Sequence, residues 1–120
     1  MSGTSGMHIN VSNRDGAAWV RLEGEFDLGS AADVEQRLSQ VEHQHPPTVV
    51  LDLRELTFID STGLRTILGA DARARREGRR LVVIPGPPPV HRVFRIALLD
   101  QRLDFLDEEA LSERAGDGGD

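Results

Sequence analysis

Two short apolar runs rich in β-branched residues lie on either side of an amphipathic helical pattern. The runs are Thr48–Leu53 and Leu81–Ile84, and each is typical of a strand that is buried on both faces of a sheet. The apolar positions between them recur at helical spacing: Leu64, Ile67, Leu68 and Ala72. Gly78 follows as a helix cap. This βαβ unit predicts parallel strands joined by a right-handed crossover, which restricts the chain to an α/β fold.

The segments before this unit predict a hairpin and a helix. Residues 8–11 and 18–22 alternate in polarity on either side of Asp15-Gly16, a strong tight-turn signal. We therefore expect them to form an antiparallel hairpin. The period then changes to that of a helix over residues 30–43, and Ser30 is its expected capping residue.

The segments after the unit complete the predicted sheet. A helix is expected after the proline-rich stretch 85–89, then a short strand near residues 103–105 and a last helical stretch near 107–112. The fold class is α/β, with a mixed sheet begun by the N-terminal hairpin and covered by about four helices. A length of 120 residues favours one core. The expected parts are a flexible N-terminus at 1–6, one domain at 7–113 and a disordered acidic tail at 114–120.

The acidic charge of the chain is concentrated at one end. The formal net charge is -6, but residues 107–120 hold six carboxylates and one arginine, so the rest of the chain is nearly neutral. We therefore expect no direct contact with nucleic acid or with an anionic membrane surface. The sequence also lacks an apolar run of about 20 residues and a signal-peptide pattern, so we expect a cytoplasmic protein without membrane insertion.

The composition removes several classes of enzyme. The chain has no cysteine and no tyrosine, and all 14 of its basic residues are arginine. Disulfides, thiolate zinc sites, cysteine nucleophiles, Schiff-base lysines and the phosphate-binding lysine of a P-loop are therefore excluded. The histidines are scattered over different predicted elements: His8, His43, His45 and His91. We expect no catalytic residue, no metal site and no cofactor.

Loops that follow parallel strands gather at one edge of an α/β sheet, where ligands and partners bind. Two such loops carry Asp27 and Ser61. We expect them to be neighbours if the helix at 30–43 joins adjacent parallel strands. In the second loop, Phe58 and Ile59 are expected to anchor the chain to the core.

Asp60, Ser61 and Thr62 then lie near solvent at the start of a helix. The unpaired N–H groups and the helix dipole there suit a phosphate esterified to Ser61. Gly63 has no side chain and is expected to let another surface approach the hydroxyl closely. The same residues also fit an ordinary helix cap, and the residues alone leave both roles open.

Several segments together resemble the STAS domain of bacterial anti-sigma factor antagonists. The matching segments are GEFDLGSAADVEQRL at 24–38, VVLDLRELTFIDSTGLRTIL at 49–68, GRRLVVI at 78–84 and VHRVFRIALLD at 90–100. The first resembles the family's Gly-Glu-x-Asp loop and first helix, and the second resembles its central strand and phosphorylation loop. One departure is Ala97-Leu98-Leu99, where many members have Thr-Gly-Leu or Ser-Gly-Leu.

The resemblance implies a single STAS-like domain that switches partners and is not an enzyme. By position, Ser61 is the phosphoacceptor, and the partner-binding residues are Asp27, Asp60, Ser61, Thr62, Gly63 and Leu64. The unphosphorylated protein is expected to capture an anti-sigma factor that is itself a serine kinase with a histidine-kinase-like ATP fold, and so to release the sigma factor. A separate phosphatase removes the phosphate. We expect the free protein to be a monomer.

Other functions stay open at this point. The chain also fits a scaffold STAS domain of a larger signalling assembly, or a protein that binds or hydrolyses a nucleotide with the same loop. For hydrolysis, His91 is the candidate base near a suitable loop, but the sequence lacks a G-x-S-x-G elbow. Asp27 and Asp60 together could bind Mg²⁺, although no further ligand is evident.

Overall fold

The chain folds into a mixed sheet with helices packed on one face, as a computed structural model of residues 6–106 describes it. The elements in chain order are β1 (Met7–Arg14), β2 (Ala17–Phe26), α1 (Leu28–Glu42), β3 (Thr48–Ile59), α2 (Ser61–Arg76), β4 (Arg80–Ile84) and α3 (Pro88–Ile96). The strands lie in the order β1-β2-β3-β4. β1 is antiparallel to β2, and β3 is parallel to both β2 and β4. The predicted α/β class, the N-terminal hairpin and the βαβ unit are confirmed.

The predicted C-terminal elements are only partly covered by the described residues. The strand expected near residues 103–105 is a single bridge, in which Phe105 pairs in parallel with Val83. The helical stretch expected near 107–112 and the tail at 114–120 lie outside the described residues. Within residues 6–106 the sheet is therefore covered by three helices, and not by about four.

The hairpin turn has the backbone conformation that its sequence predicts. Asp15 and Gly16 both adopt positive φ angles, of 52° and 83°. A two-residue turn with two positive φ angles matches the right-handed twist of the strands it joins. β1 and β2 consequently pair in register from Arg14 opposite Ala17 to Met7 opposite Gly24.

Several element boundaries differ from the prediction, and those of α1 and β3 bear on the site. α1 begins at Leu28 and its N-cap is Asp27, so the expected start at Ser30 was wrong. β3 continues to Ile59, whereas its sequence run ended at Leu53. The reason is that β2 keeps pairing with β3 up to Phe26 opposite Ile59, across two register shifts that periodicity in a single strand does not reveal.

The main core lies between the sheet and all three helices. It contains alternate residues of the strands together with Val34 and Leu38 of α1, Ile67 of α2 and Phe94 of α3. The predicted inner face of α2 was partly wrong. Ala72 is exposed, while Ala70 and Ala74 are buried in its place.

α3 ends at the departure noted in the sequence. Leu98 has a φ of 61° and its side chain is 80% exposed. The Leu98 N–H donates to the Arg95 carbonyl at 3.0 Å and the Leu99 N–H donates to the Phe94 carbonyl at 2.8 Å. This is the Schellman pattern, in which glycine usually occupies the left-handed position. Leucine here holds a strained conformation while its side chain gains little from burial.

Candidate functional site

The loops that carry Asp27 and Ser61 lie side by side at one edge of the sheet. Phe26 ends β2 directly opposite Ile59, which ends β3. The Asp60 N–H also donates to the Phe26 carbonyl at 3.2 Å, which ties the two strand ends together. The expectation that these loops are neighbours is therefore confirmed.

Both aspartates of this edge cap helices. Oδ1 of Asp27 accepts from the Gly29 and Ser30 N–H groups at 3.0 and 3.2 Å, and the Ser30 hydroxyl accepts from the Asp27 N–H at 3.1 Å. This reciprocal capping box fixes the first turn of α1. Asp60 caps α2 through its side chain alone, since its Oδ1 accepts from the Thr62 and Gly63 N–H groups at 2.9 and 3.1 Å.

The hydrogen bonds that the two capping aspartates accept limit which of their oxygens could bind a metal ion. One oxygen of each aspartate is already used by backbone N–H groups. Within residues 6–106, no three acidic or histidine side chains are grouped closely enough to hold a metal ion. The arrangement of the two carboxylates is thus explained by the start of the two helices, and it gives no support to a shared Mg²⁺ site.

Ser61 is the first residue of α2 and its side chain is exposed. Its hydroxyl makes no hydrogen bond to any residue from 6 to 106. The amides that follow it are occupied, since Asp60 accepts from Thr62 and Gly63 through its side chain and from Leu64 through its carbonyl. The expectation that these amides are free to receive a phosphate was therefore wrong for the unmodified protein.

Gly63 has a structural role that the sequence reading missed. A Cβ atom there would lie 2.8 Å from Cγ1 of Ile59, 2.9 Å from the carbonyl oxygen of Phe26 and 3.0 Å from Cγ of Phe26. Glycine is thus needed because α2 begins in close contact with the ends of β2 and β3. This contact does not test the predicted role of Gly63 in letting a partner approach Ser61, which stays a prediction.

The apolar residues near the ends of β2 and β3 and the starts of the helices that follow are not distributed as expected. Phe58 is 49% exposed, so its predicted anchoring role was wrong, while Ile59 is 3% exposed and does anchor the loop. Leu28, which follows Asp27, is 77% exposed. Leu64 is 8% exposed and lies in the main core. We name Ser61, Leu28 and Phe58 the Ser61 edge.

A polar cluster that the sequence analysis missed lies on the sheet face away from the helices. Asp52 of β3 is fully buried and accepts from Nε1 of Trp19 at 3.2 Å. Arg54 forms a bidentate pair with it, at 3.0 Å through Nε and 2.8 Å through Nη2. Burial acts to raise the pKa of Asp52, but the hydrogen bonds from Arg54 and Trp19 outweigh it and hold that pKa below its usual range. In the sequence, the signal for this cluster was the alternation of two oppositely charged residues, Asp52 and Arg54, which places them on the same face of a strand.

The side chain of His91 makes no hydrogen bond to Ser61 in the part of the chain that the structure describes. Its ring stands 4.9 Å from the ring of Phe105 and 6.1 Å from that of Phe94, centroid to centroid. Its Nδ1 is buried without a hydrogen-bond partner among the described residues. These ring contacts and the unpaired Nδ1 give no support to His91 as a base for Ser61, since a general base needs a hydrogen bond to the group it activates.

The fold and the site together define a STAS domain. The family model described as "Mlab, STAS domain" matches residues 9–108, and the chain belongs to that family. Its sequence is similar to the anti-sigma F factor antagonist of Paenibacillus polymyxa, with 31% identity over 110 residues that cover 89% of this chain and 94% of the relative.

Solved structures agree with this assignment. The crystal structure of an anti-sigma factor antagonist from Mycobacterium paratuberculosis has a TM-score of 0.80 and 25% identity, and the match covers 94% of this chain and 97% of that one. The structure of SpoIIAA in its unphosphorylated form shares the fold, with a TM-score of 0.72, 22% identity and coverage of 90% and 96%. None of the helices in residues 6–106 is long and apolar enough to cross a membrane.

Proposed function

We propose that this chain is an anti-sigma factor antagonist whose capture of an anti-sigma factor kinase is controlled by phosphorylation of Ser61. The antagonist function is supported by the relative from Paenibacillus polymyxa, which carries that name and is matched over 94% of its length. The observation that carries the choice of Ser61 is its geometry. Its hydroxyl is exposed, unpaired among the described residues and held at a helix start by a rigid cap.

The Ser61 edge supplies the apolar contacts that a protein partner needs. Leu28 is the first residue of α1, directly after β2, and Phe58 lies near the end of β3; both side chains are large and exposed. Exposed apolar side chains beside a polar rim are typical of the core of an interface. In this proposal the kinase covers the Ser61 edge and presents its active site to the hydroxyl. The contact takes place in the cytoplasm, where sigma factors are bound.

Phosphorylation then acts at the interface and not on the fold. A phosphate adds about -1.5 to -2 charges at pH 7. At a helix start a negative charge is favourable by about 0.3–1 kcal/mol, whereas the Asp60 carboxylate beside it is repulsive. These local effects oppose each other, so the domain keeps its structure. The partner, however, must now bury an extra anion, and a loss of about 2.8 kcal/mol already weakens binding a hundredfold.

The remaining partner in this cycle is a phosphatase that restores the hydroxyl. The domain itself acts as substrate for both enzymes and supplies no catalytic group. Asp27 contributes to the partner surface through the second oxygen of its carboxylate, since only Oδ1 is used in capping the α1 amides.

The test is phosphorylation by purified kinases. Each serine kinase of the source genome that has the histidine-kinase-like ATP fold is incubated with the domain and labelled ATP, and the modified residue is mapped by mass spectrometry. We expect one kinase to modify Ser61, with labelling lost in Ser61→Ala and retained in the matched neighbour Thr62→Ala. No labelling by any of these kinases, or labelling that survives Ser61→Ala, would contradict the proposal.

A further inference from the structure

Arg65 is an exposed cation on α2, four residues after Ser61. Several arginines of the described region form ion pairs: Arg73 binds Glu35 and Glu42, Arg75 binds Asp71, and Arg80 binds Asp104. Arg65 has neither an ion pair nor a hydrogen bond to any residue from 6 to 106. A long charged side chain is thus left free one helical turn from the proposed phosphorylation site.

The immediate surroundings of Ser61 offer a phosphate little else. The side-chain and backbone oxygens of Asp60 already occupy the N–H groups of Thr62, Gly63 and Leu64. The Asp60 carboxylate itself repels a phosphate on the next residue. Between residues 55 and 72, Arg65 is the only basic residue in the sequence. Arg65 is therefore the counter-ion that the chain around Ser61 itself supplies.

Helix geometry brings these two side chains together. Residues four apart lie on the same face, with Cβ atoms about 5–6 Å apart. Helical side chains also lean toward the N-terminus, so the arginine extends back over the turn that holds Ser61. The favourable order is an anion followed by a cation four residues later, and a guanidinium binds phosphate oxygens in a bidentate manner.

We propose that Arg65 is the intramolecular counter-ion of phosphorylated Ser61. This role rests on the proposed function, in that it requires a phosphate at Ser61. Pairing holds the phosphate against α2 and explains how the modified domain tolerates a dianion beside Asp60. Adding the phosphate changes the summed charge of residues Ser61 and Arg65 from +1 to about -0.5 to -1, and this is the charge that a partner meets.

The experiment installs phosphoserine at position 61 during translation, so that no kinase is needed. The second ionisation of the phosphate is followed by ³¹P NMR across pH 4–9. The variants are Arg65→Gln and, as a matched control, Arg76→Gln. Arg76 is an exposed arginine in the last turn of the same helix, about 22 Å from Ser61 along its axis.

We expect the phosphate pKa in the Arg65→Gln protein to be about half a unit higher than in the otherwise unaltered protein, since an exposed ion pair supports a shift of that size. Arg76→Gln should leave the titration unchanged. Equal titration with and without Arg65 would overturn the proposal, as would an equal shift in both variants, which would reveal only a general effect of net charge. If no kinase modifies Ser61, the proposed function fails while this result stands, so the two failures are distinguishable.

Discussion

Replacing Gly63 with alanine tests the contact that positions the Ser61 edge. The added methyl carbon would lie 2.8 Å from Cγ1 of Ile59 and 2.9 Å from the carbonyl oxygen of Phe26. The first contact is with the side chain of Ile59, which is buried at 3% exposure. The second is with a backbone oxygen that accepts the Asp60 N–H at 3.2 Å. Neither group can withdraw unless α2 moves away from the strand ends.

The magnitude follows from two opposing effects. Inserting a methyl group into a filled space costs about 1–3 kcal/mol, and a contact with fixed backbone belongs in the upper half of that range. Replacing glycine by alanine in a helix returns about 0.5–1 kcal/mol. We therefore expect Gly63→Ala to lower the free energy of unfolding by about 1–2.5 kcal/mol.

Gly69 supplies a matched control on the same helix. A Cβ atom there meets only Nη1 of Arg73, at an ordinary distance of 3.6 Å. Gly69→Ala should therefore stabilise the domain by about 0.5–1 kcal/mol, through helix propensity alone. Urea unfolding of both variants at pH 7 gives the free energies, provided that the m-values agree. A Gly63→Ala protein as stable as the unaltered domain would refute the close-contact explanation.

Three further substitutions have definite expected outcomes. Leu98→Gly should raise the free energy of unfolding by about 1 kcal/mol, because it relieves a left-handed leucine; a lower melting temperature would contradict this. Asp52→Asn should destabilise the domain more at pH 7 than at pH 3, because a carboxyl whose pKa is lowered by folding stabilises above its unfolded value of 3.8 and loses that effect as the pH falls through its folded value. If the two proteins differ in free energy of unfolding by the same amount at both pH values, as measured in urea, this prediction is wrong. Asp27→Ala should cost about 1 kcal/mol through the lost cap, whereas Asp27→Asn keeps the cap. We expect Asp27→Asn to bind the kinase more weakly in a titration. Normal binding would show that the charge of this carboxylate plays no part in the partner surface.

The strands and helices that sequence periodicity defines clearly were predicted correctly. Asp15-Gly16 specified its turn by local backbone preference alone, and Gly78, with a φ of 71°, specified the end of α2. The adjacency of Asp27 and Ser61 followed from topology, because parallel strands deliver their loops to the same edge. These features depend on neighbours in sequence or on rules of chain connection.

The features that were missed depend on contacts between distant residues. Phe58 was expected to anchor the loop together with Ile59, but β3 is a strand up to Ile59 and its alternation directs neighbouring side chains to opposite faces. The structural role of Gly63 was missed, because the atoms that leave no room for a side chain include those of Phe26, which is far away in sequence. The hydrogen bond between Trp19 and Asp52 was missed, because the two residues belong to different strands and the pattern within one strand does not show which residue lies opposite.

The most direct test of the central claim compares the affinity of two forms of the domain for its kinase. The kinase that labels Ser61 is titrated calorimetrically with the unmodified domain and with the domain that carries phosphoserine at position 61, while backbone NMR spectra monitor the fold. We expect the phosphorylated form to bind at least about a hundredfold more weakly, with spectral changes confined to the residues around the start of α2. Equal affinity of the two forms would contradict the switch.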